Sequence, residues 1–184
     1  MQVIWNTIKD EHKNKLKELF QGALNFECAV AFAKMSGFSD IKKPLEASLK
    51  RGMSARLILG LDFYITDPEV LDMLLGWESR YKVKTYVAKS QSNVCFHPKI
   101  YAFSYRNHAI IVAGSANLTG GGFGSNWECS LLVRQQRDNE ISGHLQTLID
   151  DAEVDELTAP ALADYTRKHR IVHAVRSATE KQIA

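Results

Sequence analysis

Short apolar runs separated by longer amphipathic segments are the feature that most restricts the fold of this chain. Three such runs, at 27–34, 54–61 and 83–88, have the length and composition of buried strands. Helical spacing of apolar residues fills the intervals between them. Strands that alternate with helices favour parallel pairing, with the helices packed on the sheet. The first half of the chain therefore predicts a β-α-β-α-β unit.

The helices of this half have recognisable ends. A first helix is predicted over 10–24, where apolar residues recur among Lys and Glu residues at helical spacing. The next is expected to be capped by Ser39 or Asp40 and to end at Gly52. A third is expected to begin at Pro68, because proline is favoured in the first helical turn.

The second half of the chain has a different pattern. Runs at 97–105 and 108–114 are joined by a short polar link, which predicts a hairpin. A glycine-rich loop is expected next, over 115–126, and then a strand over 127–134. Helices are predicted at roughly 138–152 and 160–178. The sequence thus favours an α/β fold with a mixed sheet, mostly parallel and then hairpin-connected, flanked by helices.

Length and composition agree with one globular domain. We expect a single domain over 1–184, with a basic helical extension from about residue 155. The net charge of +2, from 23 basic and 21 acidic residues, does not by itself identify a nucleic-acid or membrane binder. The three cysteines lack C-x-x-C spacing, and no run is long enough for a signal peptide or a membrane span. These features predict a soluble cytoplasmic protein that does not associate with membranes.

A compact group of polar residues begins at the hairpin. His97 and Lys99 alternate along the predicted strand, so both side chains are expected on one face of the sheet. If the turn centres near Arg106, paired positions sum to about 212, and Ser115 lies nearly opposite His97. Asn117 follows just beyond. An imidazole, an ammonium, a hydroxyl and an amide in one place suit a phosphate group.

The residues after the hairpin extend this group. The turn from Gly114 to Asn117 offers backbone N–H groups to an anion. Four further glycines are expected to keep the loop unobstructed and to permit positive φ angles: Gly120, Gly121, Gly122 and Gly124. Glu128 then begins the next predicted strand, and its carboxylate is expected to return toward the hairpin.

These residue types supply the parts of a phosphodiesterase. Lys99, Ser115 and Asn117 can hold the non-bridging oxygens, and His97 can attack phosphorus while Glu128 orients its ring. The scheme requires no metal or other cofactor, because a lysine and a turn supply the positive charge and the donors. The leaving alkoxide needs a general acid. The other histidines are the candidates within the chain: His12, His108, His144, His169 and His173.

The same residues carry a family resemblance. The segments His-Pro-Lys (97–99), Gly-Ser-Ala-Asn (114–117) and Trp-Glu (127–128) resemble the H-x-K, G-S-x-N and Glu signature of the phospholipase D superfamily. The match is closest to the bacterial nuclease branch with one such motif, which includes metal-independent restriction endonucleases. Ser104 stands where many members of the superfamily have Asp.

The resemblance implies roles for these residues. It implies a phosphohistidine at His97, phosphate ligands at Lys99, Ser115 and Asn117, and an orienting carboxylate at Glu128. It also implies a homodimer with the active site on the two-fold axis, in which a second copy of His97 acts as the acid. Such a dimer has an isologous interface.

Three functions remain open from the sequence. The first is a metal-independent nuclease, with DNA as the expected nucleic acid. The second is a phospholipid phosphodiesterase of the same superfamily. The third is a non-catalytic nucleic-acid-binding or dimerisation module of a larger defence or helicase assembly. A basic cluster on the last helix is either solvated or in contact with a nucleic-acid backbone; its residues are Arg167, Lys168 and Arg170. No base-stacking platform of aromatic residues is evident in the sequence.

Overall fold

The fold was obtained as a computed structural model, which describes residues 1–6, 12–88, 94–136, 140–151 and 153–183, with the side chains of 181–183 excluded. The strands are β1 (Gln2–Trp5), β2 (Asn25–Val30), β3 (Ser54–Leu59), β4 (Val83–Ala88), β5 (Lys99–Ser104), β6 (His108–Gly114), β7 (Cys129–Gln136) and β8 (Val154–Glu156). The α-helices are α1 (His12–Leu19), α2 (Met35–Lys50), α3 (Pro68–Glu78), α4 (Glu140–Asp150) and α5 (Ala159–Ile183). A 3₁₀ turn spans Asp62–Tyr64, and a π-helical turn spans Gly121–Ser125.

The strands form one mixed sheet in the order β1-β7-β6-β5-β2-β3-β4-β8. The central strands β2, β3 and β4 pair in parallel, and the remaining pairs are antiparallel. Strand β5 therefore joins the parallel unit to the hairpin that it forms with β6. This arrangement confirms the predicted α/β class with a mixed sheet flanked by helices.

Alternate side chains along the central strands face opposite sides of the sheet and enter two separate apolar clusters. The larger cluster packs beneath α1, α2 and α3, and at its centre Phe20, Phe26 and Phe103 have ring centroids 4.9–5.0 Å apart. The smaller cluster, which includes Ala29 and Ile58, lies beneath α4. Because neighbouring residues of a strand face opposite sides, the continuous apolar runs of the sequence fill both clusters.

A buried ion pair fastens α4 to the sheet. Glu27 on β2 is almost fully buried and forms a salt bridge with Arg56 on β3. The same guanidinium donates a hydrogen bond to the Ser142 carbonyl oxygen at 2.9 Å, and the Ser142 hydroxyl donates to Glu27 at 3.0 Å. Two charges in a polar network are thus enclosed between the sheet and the helix.

Several predicted boundaries were wrong. Helix α2 begins at Met35, so Ser39 and Asp40 lie inside it, because Asp67 accepts a hydrogen bond from the Met35 N–H at 2.8 Å and supplies the missing cap. Helix α1 ends at Leu19, before a turn in which Gly22 has a φ of 75°. The predicted start of α1 at residue 10 lies outside the described residues.

The hairpin differs from the prediction by one residue. Ile100 pairs with Ala113, so paired positions sum to 213, and the register continues toward Ala116 opposite His97. Strand β5 begins at Lys99 and leaves His97 in the preceding loop, while β7 begins at Cys129 and not at 127. Two short edge strands, β1 and β8, were not predicted.

Candidate active site

His97 and Lys99 lie together where the chain enters β5. The Lys99 ammonium nitrogen is 2.6 Å from Nδ1 and 3.0 Å from Nε2 of His97, and it donates to the His97 carbonyl oxygen at 3.0 Å. Lys99 is only 8% exposed, whereas His97 is exposed. Burial lowers the pKa of Lys99, and the nearby Cys95 thiol and Glu128 carboxylate oppose that shift. A bound phosphate would favour the charged ammonium in the same way.

The turn after β6 is tied to the start of β7. The Ser115 N–H donates to the Cys129 carbonyl oxygen at 3.0 Å, and the Cys129 N–H donates to the Ser115 hydroxyl oxygen at 3.0 Å. The Ser115 hydroxyl donates in turn to the Glu128 carboxylate. A side chain at Gly114 would collide with the Cys129 carbonyl and with Ser130, so glycine is required for this close approach. Ser115 is consequently held at the surface in a fixed orientation.

Asn117 connects this turn to the end of β2. Its side-chain oxygen accepts a hydrogen bond from the Phe32 N–H at 3.1 Å, and the adjacent Leu118 forms a parallel bridge with Ala33. An amide whose oxygen is engaged in this way presents its NH₂ group as a donor. The chain thereby brings segments from β2, β5, β6 and β7 to one place.

The carboxylate of Glu128 has different contacts from those predicted. It accepts hydrogen bonds from the Ser115 hydroxyl and from the Asn126 amide, the latter at 3.3 Å, and none from His97. Its charge opposes the pKa shifts of both Lys99 and His12, which places it within electrostatic range of these two groups. In this structure Glu128 therefore orients Ser115, while His97 contacts Lys99.

The glycine-rich segment is helical and not an open loop, which corrects the prediction. Gly120 has a φ of −58°, and the described glycines with positive φ are Gly22 and Gly52. A Cβ atom at Gly122 would collide with the Asn117 carbonyl oxygen and would lie 2.9 Å from its nitrogen. Close packing against the Asn117 backbone, and not conformational freedom, accounts for glycine at this position.

In the part of the chain that the structure describes, no other histidine contacts His97. His12 is fully buried; its Nδ1 is 2.5 Å from the Asn6 side-chain oxygen, and its Nε2 is 2.8 Å from the Ser130 hydroxyl. Burial lowers the pKa of His12. The others lie elsewhere: His108 against Tyr105, His144 exposed on α4, and His169 against His173 on α5.

The basic cluster on α5 is separate from these residues. Arg167 and Lys168 form salt bridges with Asp164 at 2.6 and 2.7 Å, and Arg170 is exposed nearby. Helix α5 packs against α3 and against the 3₁₀ turn. Among the described residues, no hydrogen bond, ion pair or ring contact joins the three basic side chains to His97 or Lys99.

Two aromatic residues that the sequence did not single out lie beside His97. The ring of Phe32 meets the His97 ring edge-on at 6.0 Å, and the ring of Phe63 meets Phe32 at 6.4 Å. Phe63 is 58% exposed although it is a large apolar residue. Trp127, next to Glu128, is 95% exposed. Only tertiary structure brings the rings of Phe32, Phe63 and His97 together, because they come from three distant segments.

The backbone at Phe63 is unusual. Phe63 and Tyr64 have φ angles of 59° and 53°, in the left-handed region that costs about 1–2 kcal/mol per non-glycine residue. Helix α5 holds them there: Arg176 donates to the Phe63 carbonyl at 2.7 Å, and His173 Nε2 lies 3.2 Å from the Tyr64 carbonyl. Tyr165 also stacks on Tyr64 with ring centroids 5.7 Å apart.

The residues that the structure describes offer neither a candidate metal site nor a candidate membrane-spanning helix. They contain no group of three or more His, Cys, Asp or Glu side chains placed to hold a metal ion. In the same part of the chain, no helix has the length and apolar character needed to cross a membrane.

Comparison with known proteins identifies the family. Residues 22–152 match the family model "Cardiolipin synthase, PLD-like domain", whereas no curated protein matches the chain by sequence. Among solved structures, Nuc from Salmonella typhimurium, a phospholipase D family member, has a TM-score of 0.63 at 16% identity, over 86% of this chain and 97% of Nuc. NucT from Helicobacter pylori has a TM-score of 0.57 at 15% identity, over 85% and 98%.

A larger enzyme shares the same fold. Phosphatidylserine synthase from Haemophilus influenzae has a TM-score of 0.63 at 12% identity, and the match covers 96% of this chain but only 46% of the synthase. The family model covers more than half of the chain, and the residues that resemble the signature lie within the matched segment. This chain is therefore a member of the phospholipase D superfamily of phosphodiesterases.

Proposed function

We propose that this protein is a metal-independent nuclease that cleaves phosphodiester bonds through a phosphohistidine at His97. The observation that carries the proposal is the contact between the exposed His97 ring and the buried Lys99 ammonium. A nucleophile and a positive charge at one exposed point suit attack on a phosphodiester. Asn117 lies on a neighbouring segment and presents its NH₂ group as a further donor, and the Ser115 hydroxyl supplies another when it exchanges Glu128 for phosphate.

The proposed reaction has two displacements. In the first, the lone pair of one His97 ring nitrogen forms a bond to phosphorus, and the bond from phosphorus to the leaving oxygen breaks. A general acid gives that oxygen a proton. In the second, water attacks phosphorus, loses a proton to the same group, and displaces the His97 nitrogen. Lys99, Ser115 and Asn117 stabilise the non-bridging oxygens throughout, in place of a metal ion.

The general acid is the reason to propose a homodimer. Among the described residues, which include all six histidines, no second histidine contacts His97, and the buried His12 has both ring nitrogens engaged. A second copy of the chain, related by a two-fold axis at the site, would supply its own His97. An exposed apolar face at the β1 edge of the sheet supports self-association. Its residues, on β1 and β7, are Val3, Trp5, Leu131 and Val133.

Phospholipid is the second candidate substrate. The description of the matching family model and the likeness to phosphatidylserine synthase favour it. Nucleic acid is preferred because the single H-x-K motif resembles the nuclease branch and because the half-buried Phe32 ring connects His97 to the exposed Phe63 ring. The exposed Arg170 on α5 is available to a nucleic-acid backbone, as are Arg167 and Lys168 if they exchange Asp164 for phosphate.

The test measures hydrolysis of single-stranded DNA, phospholipid vesicles and bis(p-nitrophenyl) phosphate in excess EDTA. We expect cleavage of DNA and of the small diester, and none after His97→Ala. His144→Ala is the matched control, because it removes an exposed histidine that lies on α4 and not in the segment that enters β5. Full inhibition by EDTA would contradict the metal-independent mechanism. Turnover of vesicles alone would favour the phospholipid candidate, and no turnover of any substrate would favour a non-catalytic module.

A further inference from the structure

We infer that Phe63, backed by Phe32, is a stacking site for an unpaired nucleobase adjacent to the scissile phosphate. The inference rests on the proposed nuclease function and adds a substrate class to it, namely single-stranded nucleic acid. It concerns residues that take no part in the chemistry at His97. The observations behind it are the ring geometry, the exposure of Phe63 and the backbone that presents it.

Two ring contacts connect His97, at the phosphate site, to Phe63. Edge-on contacts link His97 to Phe32 at 6.0 Å and Phe32 to Phe63 at 6.4 Å, so the first and last rings lie within about 12 Å of one another. Successive bases of a strand are separated by about 3.4 Å when stacked. A base one to three nucleotides from a phosphate at His97 can therefore reach Phe63.

The exposure of Phe63 is maintained by the fold at a cost. Two consecutive non-glycine residues, Phe63 and Tyr64, occupy the left-handed region, and such strain persists only where the surrounding structure imposes it. Arg176 and His173 on α5 hold the Phe63 and Tyr64 carbonyl groups. Helix α5 thus fixes the segment that carries Phe63. The Phe63 side chain points outward and remains more than half exposed to solvent.

A nucleobase matches this surface better than other ligands of a phosphodiesterase. An aromatic ring offers a flat face on which any base can stack, and stacking of this kind is tolerant of sequence. The adjacent positive charge of Lys99 fixes the phosphate, so base and phosphate are held at two points of one strand. In a duplex the bases are paired and stacked inside the helix, and they reach such a ring only when they are unpaired or flipped out.

The test measures binding in the His97→Ala background, in which the substrate is not consumed. The probes are a ten-nucleotide single-stranded DNA and versions of it with an abasic site at each successive position. Phe63→Ala removes the ring, and Phe63→Trp restores an aromatic surface. Leu24→Ala is the matched control, because Leu24 is equally exposed at 58% and belongs to a different surface segment. Thermal unfolding of each variant checks that it is folded.

We expect the effect of Phe63→Ala on Kd to depend on the presence of one particular base of the strand. Phe63→Ala should raise Kd for the intact strand by about 5- to 150-fold, the range for loss of one stacked base. One abasic position should weaken binding by a similar factor and be insensitive to Phe63→Ala. Phe63→Trp should bind the intact strand at least as tightly as Phe63, and Leu24→Ala should change nothing.

Two outcomes would overturn the inference. One is equal loss from Phe63→Ala with the intact strand and with every abasic strand, which would mean that the ring contacts no base. The other is an unchanged Kd after Phe63→Ala. Failure of the proposed nuclease function has a separate signature, because it is measured as absence of bis(p-nitrophenyl) phosphate hydrolysis by the unmodified chain. The two results are thereby distinguishable.

Discussion

Substitution of Gly122 by alanine connects the packing of this fold to its chemistry. The new Cβ atom would meet the Asn117 carbonyl oxygen and would lie 2.9 Å from the Asn117 nitrogen and 3.1 Å from its carbonyl carbon. These are backbone atoms, so a side-chain rotation cannot relieve the collision, and the Asn117 segment itself must move. Such overpacking typically costs about 1–3 kcal/mol of stability. Asn117 is a proposed phosphate ligand, and a displacement of about 1 Å in a catalytic group can reduce the rate about 100-fold.

The assay pairs urea denaturation with turnover of bis(p-nitrophenyl) phosphate. Gly143→Ala is the matched control: Gly143 lies inside α4, and a Cβ atom there meets nothing within 4 Å. Because alanine is the better helix former, this variant should gain about 0.5–1 kcal/mol and keep its activity. Gly122→Ala should lose both stability and kcat. If Gly122→Ala retained the stability and the turnover of the unmodified chain, the explanation of that glycine by close packing would be refuted.

Three further results are expected. Burial lowers the pKa of His12 below 6.5, so near that pH the unfolded chain binds more protons than the folded chain. The free energy of unfolding should therefore fall as pH decreases from about 6.5. His12→Asn should remove this dependence in denaturation series across pH, and an unchanged dependence would contradict the assignment to His12. Arg56→Met should cost about 3–5 kcal/mol in urea denaturation by leaving Glu27 buried without its guanidinium, and a loss below about 1 kcal/mol would refute that role. Burial also lowers the pKa of Lys99. Inhibition by vanadate, an analogue of phosphate, should therefore weaken as pH approaches that pKa and the ammonium loses its charge. Inhibition that persists beyond pH 10.5 would contradict a contact between Lys99 and phosphate.

Local patterns explain which parts of the fold were predictable. Short apolar runs predict the strands β2, β3 and β4, and two runs joined by a polar link predict the hairpin of β5 and β6. The start of α2 was missed because its cap comes from Asp67, 32 residues further along the chain. No local rule identifies a capping group supplied by a distant loop.

The candidate site was likewise predictable only in part. Spacing along one strand and across one hairpin was sufficient to bring His97 and Lys99 near Ser115, although the register differed by one residue. The ring of Phe63 was not foreseeable, because its position depends on α5 contacts more than 100 residues away. The reason for Gly122 was also hidden, since a sequence displays a glycine's freedom but not the backbone that packs against it.

The most direct test of the account is isolation of the covalent intermediate. The protein is mixed with bis(p-nitrophenyl) phosphate, quenched under alkaline denaturing conditions during turnover, digested, and examined by mass spectrometry. The account predicts one p-nitrophenyl phosphoryl group on the peptide that contains His97, absent from the peptide that contains His144 and absent after His97→Ala. An adduct on another residue, or continued turnover by His97→Ala with no adduct, would contradict a phosphohistidine mechanism.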